Sequence, residues 1–139
     1  MTIQKDVLTQ IVAHARQAVP AECCGLLIGT GSHIQHAVRI GNIAVAPDRY
    51  ELDPKEHIDA RRSARAQGLE VLGFYHSHPH SAPEPSSTDL AEASYPDHAY
   101  LIVSVRDTPG DGEADARLFR LLPNGFVNLP LVIVTSNSN

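Results

Sequence analysis

The sequence predicts one α/β domain, a single α/β/α unit in which a mixed β-sheet has helices packed against it. Three observations carry this. A 3.6-residue apolar pattern opens the chain, several short β-branched apolar runs bounded by Gly, Pro and Asn follow, and two further helix starts fall between those runs. At 139 residues the chain has the length of one domain and can bury its own core. That domain is expected to span residues 1–134, with a disordered tail over 135–139 (Thr-Ser-Asn-Ser-Asn).

Taken in order, Ile3, Val7, Leu8, Ile11, Val12, Ala15 and Val19 share one helical stripe, and Pro20 ends it. Cys23 to Ile28 is a short apolar run before Gly29 and Gly31, a buried strand. His33 to Val45 holds more strand-like material, broken near Gly41-Asn42. Asp53-Pro54 supplies an N-cap acid and a proline at the first helical position, so a second helix runs from there to about Gln67 and stops at Gly68. Leu69 to His78 is a strand. Ser86 or Ser87 opens a third helix, expected to end near Pro96. Ala99 to Val105 is a β-branched central strand, Asp107 to Gly112 a hairpin loop, and Ala116 to Leu121 an alternating strand. Asn124-Gly125 is a turn before a last strand over Phe126 to Val134.

Composition narrows the function. Apolar content of 42 % and charged content of 19 % are those of a soluble globular protein. A net charge of −5 weighs against nucleic acid as the main partner. The first residues lack an apolar signal core, and no apolar run reaches membrane-spanning length, so a cytoplasmic protein with no membrane partner is expected. Cys23 and Cys24 are adjacent, cannot staple distant segments, and read as two buried small residues.

Chemistry concentrates in Gly73-Phe74-Tyr75-His76-Ser77-His78-Pro79, with Asp89 ten residues beyond Pro79. Side chains at i and i+2 of a strand share a face, with Cα atoms about 6.5–7 Å apart, so His76 and His78 can converge on one ion. A catalytic zinc takes three protein ligands and keeps an open position, and Asp89 at a helix start can supply the third. A water activated by such a metal needs a base, and Glu22 at the mouth of the first apolar strand is the candidate. Ser86 offers a hydroxyl to a developing oxyanion; Ser86-x-x-Asp89 is equally a helix capping box, and the two roles are compatible. His80, as a further ligand, is disfavoured because it follows Pro79 and should turn into the loop; His14, His33, His36, His57 and His98 lack partners at ligand spacing and default to surface or core roles. Ser77 should face the opposite side of the strand and bond locally, and Arg61, Arg62 and Arg65 read as a solvated helix face.

The run Glu22-Cys23-Cys24-Gly25-Leu26-Leu27-Ile28-Gly29, then His76-Ser77-His78-Pro79, six residues, and Ser86-x-x-Asp89, closely resembles the JAMM (MPN-plus) zinc metalloproteases in order and spacing. The resemblance implies a curved mixed sheet with flanking helices, similar to cytidine deaminases. It implies His76, His78 and Asp89 as ligands of one zinc per chain, Glu22 as general acid/base and Ser86 as the residue steadying the tetrahedral intermediate. The activity it implies is peptidase or isopeptidase cleavage after the Gly-Gly end of a ubiquitin-like protein, by Glu-assisted attack of zinc-bound water. Only the Pro83-Glu84-Pro85 loop and the Asp107–Gly112 turn stand where larger members carry insertions. That compact form looks like the prokaryotic members, so a sulfur carrier of the ThiS/MoaD kind is the expected partner. Two other readings compete: a non-catalytic binding or scaffold module, and a RadC-like protein associated with DNA repair, which shares the H-x-H-P and S-x-x-D pattern. Intact ligand positions argue against the first, and acidic charge against the second. A zinc nucleoside deaminase lacks its P-C-x-x-C here.

Overall fold

The computed structural model describes residues 1–106 and 114–135. Its elements run β1 (Thr2–Gln4), α1 (Lys5–Ala18), β2 (Cys24–Thr30), β3 (His33–Ile40), α2 (Pro54–Ala66), β4 (Glu70–His78), α3 (Ser87–Glu92), β5 (Ala99–Ser104), β6 (Asp115–Leu122), β7 (Gly125–Leu129) and β8 (Val132–Val134). One mixed sheet takes the order β7-β6-β5-β4-β2-β3-β1-β8. The expected hairpin loop over Asp107 to Gly112 lies outside the described residues.

Two apolar clusters form on opposite faces of this sheet. Val7, Ile11 and Ala15 of α1, four residues apart, pack with Ile3, Leu27, Tyr75, Leu101 and Leu118. Ala64 of α2 packs with Leu26, Phe74, Tyr100, Ile102 and Phe119 on the other side. Neighbouring residues of one strand thus feed different clusters, as the pleat requires. β5 is buried throughout and β4 at every residue after Glu70, which explains why they read as continuous apolar runs.

The sheet is rolled, and the chain itself demonstrates it. β7 and β8 lie at opposite edges of the strand order, a separation of roughly 34 Å in a flat sheet. Yet only Pro130 and Leu131 join them, a span of at most about 11 Å. The two edges therefore meet. Met1 stitches the seam: its amino group donates to Pro130 O at 3.1 Å and its carbonyl accepts from Val132 N at 3.0 Å. Register shifts in β2 between Leu27 and Gly29, against both neighbours, supply bends at the centre of the sheet.

Three boundaries differ from expectation. Ile3 belongs to β1, paired in parallel with β3 and β8, and not to the first helix. A three-residue strand shows no periodicity of its own, and its partners are remote in sequence. The last apolar stretch is two strands, because Pro130 lacks an N–H and the chain changes edges there. The third helix stops at Glu92, well short of Pro96.

Candidate metal centre

β4 and β5 are parallel, so residues 79–98 must cross back over the sheet to join them. That crossover carries α3 and, in its first turn, Asp89 over the end of β4, where His76 and His78 emerge. Asp89 Oδ2 lies 3.2 Å from His76 Nε2 and 3.0 Å from His78 Nε2, and the two nitrogens are 3.2 Å apart. The side chains are 2 %, 4 % and 7 % exposed for His76, His78 and Asp89.

Three donor atoms on a nearly equilateral triangle suit one small cation. Zinc bound to imidazole at its usual distance sets tetrahedral ligand edges of about 3.3 Å, close to the edges found here. The tautomer also fits. Ala82 O can only accept, so the 2.7 Å contact to His78 Nδ1 puts the proton there and leaves the Nε2 lone pair facing the triangle. Asp89 is held well below the usual carboxylate range: burial pushes it up, but its contacts with His76 and His78 outweigh it. Burial draws His76 down despite Asp89. For His78 burial acts the same way, but the Asp89 bond, the Ala82 carbonyl and the charges of Asp89 and Glu22 leave it raised. A buried carboxylate flanked by two imidazole nitrogens is a donor set suited to a cation such as zinc.

Each remaining site residue has a definite place. Ser86 caps α3: its Oγ accepts from Asp89 N at 3.0 Å, and its N–H donates to Asp89 Oδ2 at 2.9 Å. This capping box fixes the ligand carboxylate and leaves the Ser86 hydroxyl proton available. Glu22 is buried just before β2, and its charge is felt by His78 and by Tyr50. Ser77 locks that junction, accepting at Oγ from Cys23 N at 2.8 Å while its own N–H donates to Cys23 O at 3.1 Å. Gly25 and Gly73 are required by close approach: a Cβ on Gly25 would stand 2.2 Å from the Tyr75 ring, and one on Gly73 2.0 Å from Ala99 O.

The structure also brings in two residues that the sequence did not single out. The connection between β3 and α2, residues 41–53, is a strap that lays Tyr50 on His76, with ring centroids 4.3 Å apart and planes 21° apart. Asn42 holds the strap: its Nδ2 donates to Glu22 O at 2.9 Å and Arg49 O at 3.3 Å, and its Oδ1 accepts from Ala44 N at 2.9 Å and Glu51 N at 3.0 Å. An asparagine after glycine reads as a turn, and a tyrosine in a loop carries no pattern, so neither position is marked in the sequence.

Other expectations resolve simply. His80 is exposed and outside the triangle. His14 Nδ1 bonds Tyr75 Oη at 2.8 Å, and His33 bonds Thr2 and Gln4. Cys23 and Cys24 are buried free thiols, pushed up to about 11 and about 12, with burial the main cause. Arg61 is less solvated than its neighbours, since its Nη2 donates to His57 Nε2 at 3.2 Å. Glu84 points outward near Arg117, at 3.6 Å, and does not intrude on the triangle.

Residues 4–121 match the model of the family described as prokaryotic homologues of the JAB domain. The chain is similar to a desampylase of Haloferax volcanii, 39 % identical over 111 residues covering 75 % of this chain and 80 % of that protein. It is similar to a CysO-cysteine peptidase of Mycobacterium tuberculosis, 29 % identical over 136 residues covering 96 % and 91 %. A solution structure of a Desulfitobacterium hafniense protein superposes with a TM-score of 0.86 at 29 % identity, covering 99 % of this chain and 94 % of that one.

Proposed function

The chain belongs to the family of prokaryotic homologues of the JAB domain, and from that membership we propose a specific activity. It is a zinc-dependent peptidase or isopeptidase that hydrolyses the bond after the Gly-Gly end of a ubiquitin-like carrier of the ThiS/MoaD type. The observation that carries this reading is the buried triangle of His76, His78 and Asp89, with the charge of the buried Glu22 reaching His78. Relatives named desampylase and CysO-cysteine peptidase support a cleaving role.

His76, His78 and Asp89 would hold the zinc, which supplies an acidified water and polarises the substrate carbonyl. Glu22 takes a proton from the attacking water and hands it to the departing amine; its burial and the reach of its charge to His78 support that shuttle. Ser86, already fixed by the capping box, turns its free O–H toward the carbonyl oxygen as negative charge grows on it. The strap presses Tyr50 against His76 and keeps that imidazole from rotating. An extended glycine tail, free of side chains, is the kind of substrate that can reach a buried centre at a sheet end. No helix among the described residues is long and apolar enough to cross a membrane, and a cytoplasmic site of action fits this reading.

The test begins with zinc content by elemental analysis after dialysis. Near-stoichiometric zinc is expected in the wild type and is lost in His78→Ala. Glu22→Gln should retain zinc yet lose at least about a hundredfold in cleavage of a Gly-Gly-terminated carrier fusion. A folded, zinc-loaded wild type that cleaves no carrier of this kind, and cannot be told from Glu22→Gln, sinks the proposal.

A further inference from the structure

We propose that the cavity between the 41–53 strap, the start of α2 and the end of α3 is a subsite. It takes an aromatic or bulky aliphatic side chain from the residue that follows the scissile bond. This rests on the function proposed above and says which substrates the same centre prefers.

The cavity measures about 490 Å³, within the roughly 300–1,000 Å³ typical of ligand pockets. Tyr50, Leu52, His57, Phe74, Tyr95 and Tyr100 line it together with the charged Arg49 and Glu51, and Asp89 forms part of its wall, which links it to the metal triangle. Its rings hold one another in place. Phe74 stands 4.8 Å from Tyr95, 5.6 Å from Tyr100 and 5.6 Å from His57, between centroids. Tyr95 N–H donates to the Tyr100 hydroxyl at 3.0 Å, so that polar atom is already engaged by backbone. Arg61 sits over Tyr95, 5.8 Å from the ring centroid. A wall of mutually packed rings needs little ordering when a side chain enters, and its chemistry favours flat or bulky apolar groups.

The occupant follows from the acyl side of the substrate. A tail ending Gly-Gly presents hydrogen atoms where side chains would be, so its last two residues cannot fill a cavity of this size. The nearest substrate side chain still available belongs to the residue on the amine side of the bond. A single glycine or a short acid there would leave the aromatic wall uncovered.

One ubiquitin-like sulfur carrier, fused after its Gly-Gly to Phe, Leu, Gly or Asp, provides the probe. Cleavage by the zinc-loaded full chain gives kcat/KM for each fusion, and amide NMR spectra of the same sample follow titration with L-phenylalaninamide and glycinamide. The Phe and Leu fusions should be cleaved about 10- to 100-fold more efficiently than the Gly or Asp fusions. Phenylalaninamide should shift the amides of residues 50–52 and 93–95, and glycinamide should not. Ala93→Trp, which fills the cavity, should bring the Phe rate down towards the Gly rate and remove the shifts. Tyr95→Ala, at a position 38 % exposed, should also shrink the Phe-to-Gly ratio and covers the case in which the larger residue disturbs folding. Equal rates across the four fusions overturn the subsite and leave the peptidase reading standing. Selectivity without shifts at these amides places recognition elsewhere and overturns it too. Shifts without cleavage of any fusion overturn the peptidase reading and keep an aromatic-binding cavity; neither cleavage nor shifts overturn both.

Discussion

At the residue scale, single hydrogen bonds decide whether familiar side chains can do chemistry. His78 presents its Nε2 to the triangle because Ala82 O captures the other nitrogen, and Asp89 is an aimed carboxylate because the Ser86 N–H holds Oδ2. Ser86 caps α3 and is proposed to serve the chemistry as well, which makes it informative to change. Ser86→Ala should cost about 1 kcal/mol through the lost cap, read from the denaturant midpoint. It should also weaken zinc affinity by about tenfold, read by competition with a chelator, because the turn that carries Asp89 loses its Oγ anchor while the Ser86 N–H still holds Oδ2. Unchanged affinity beside the expected loss of stability would confine Ser86 to capping. Much of this was legible: an i, i+2 histidine pair before proline has one geometric meaning on a strand, and S-x-x-D has one at a helix start. The Ala82 carbonyl was not, since any residue type could offer it.

At the element scale, local rules set the helices and long-range pairing set the strands. Asp53 accepts from Lys55 N and Glu56 N, as its place before Pro54 foretold. β1 and the break at Pro130 were missed because their meaning lies in partners more than a hundred residues away, Thr2 against Val132 among them. The strap brings Tyr50 onto His76 and carried little signal in the sequence. Asn42 spends both of its donors and both acceptor positions on it, linking the Glu22 carbonyl to the segment that carries Tyr50. Asn42→Ala should leave zinc content unchanged while lowering kcat/KM by about tenfold, as the glutamate and the stacked tyrosine lose a common tether. Asn42→Asp keeps the two acceptor bonds and should fall between the two. A variant with wild-type kinetics would reduce the strap to a simple connection.

At the scale of the whole molecule, the roll of the sheet turns a row of strands into a wrapped core. It is closed by β8, which caps β1 and receives Met1 at the seam. Removing residues 131–139 should therefore expose the β1 edge and cost about 2–4 kcal/mol, on the scale of a few ladder hydrogen bonds and some apolar cover, measured by urea denaturation. The metal triangle lies at the far end of the central strands, so zinc stoichiometry should survive the truncation. Equal stability would mean that the seam contributes nothing to closure. Residue identity and spacing were enough to name the helices, the buried strands and the grouping of His76, His78 and Asp89, because capping, alternation and ligand chemistry act over a few residues. Only the assembled fold decides that the sheet closes on itself, that Asn42 and Tyr50 serve the centre, and that an aromatic cavity opens beside Asp89. Those features join segments far apart in the chain, and their contacts exist only once the sheet has rolled and the strap has closed over it.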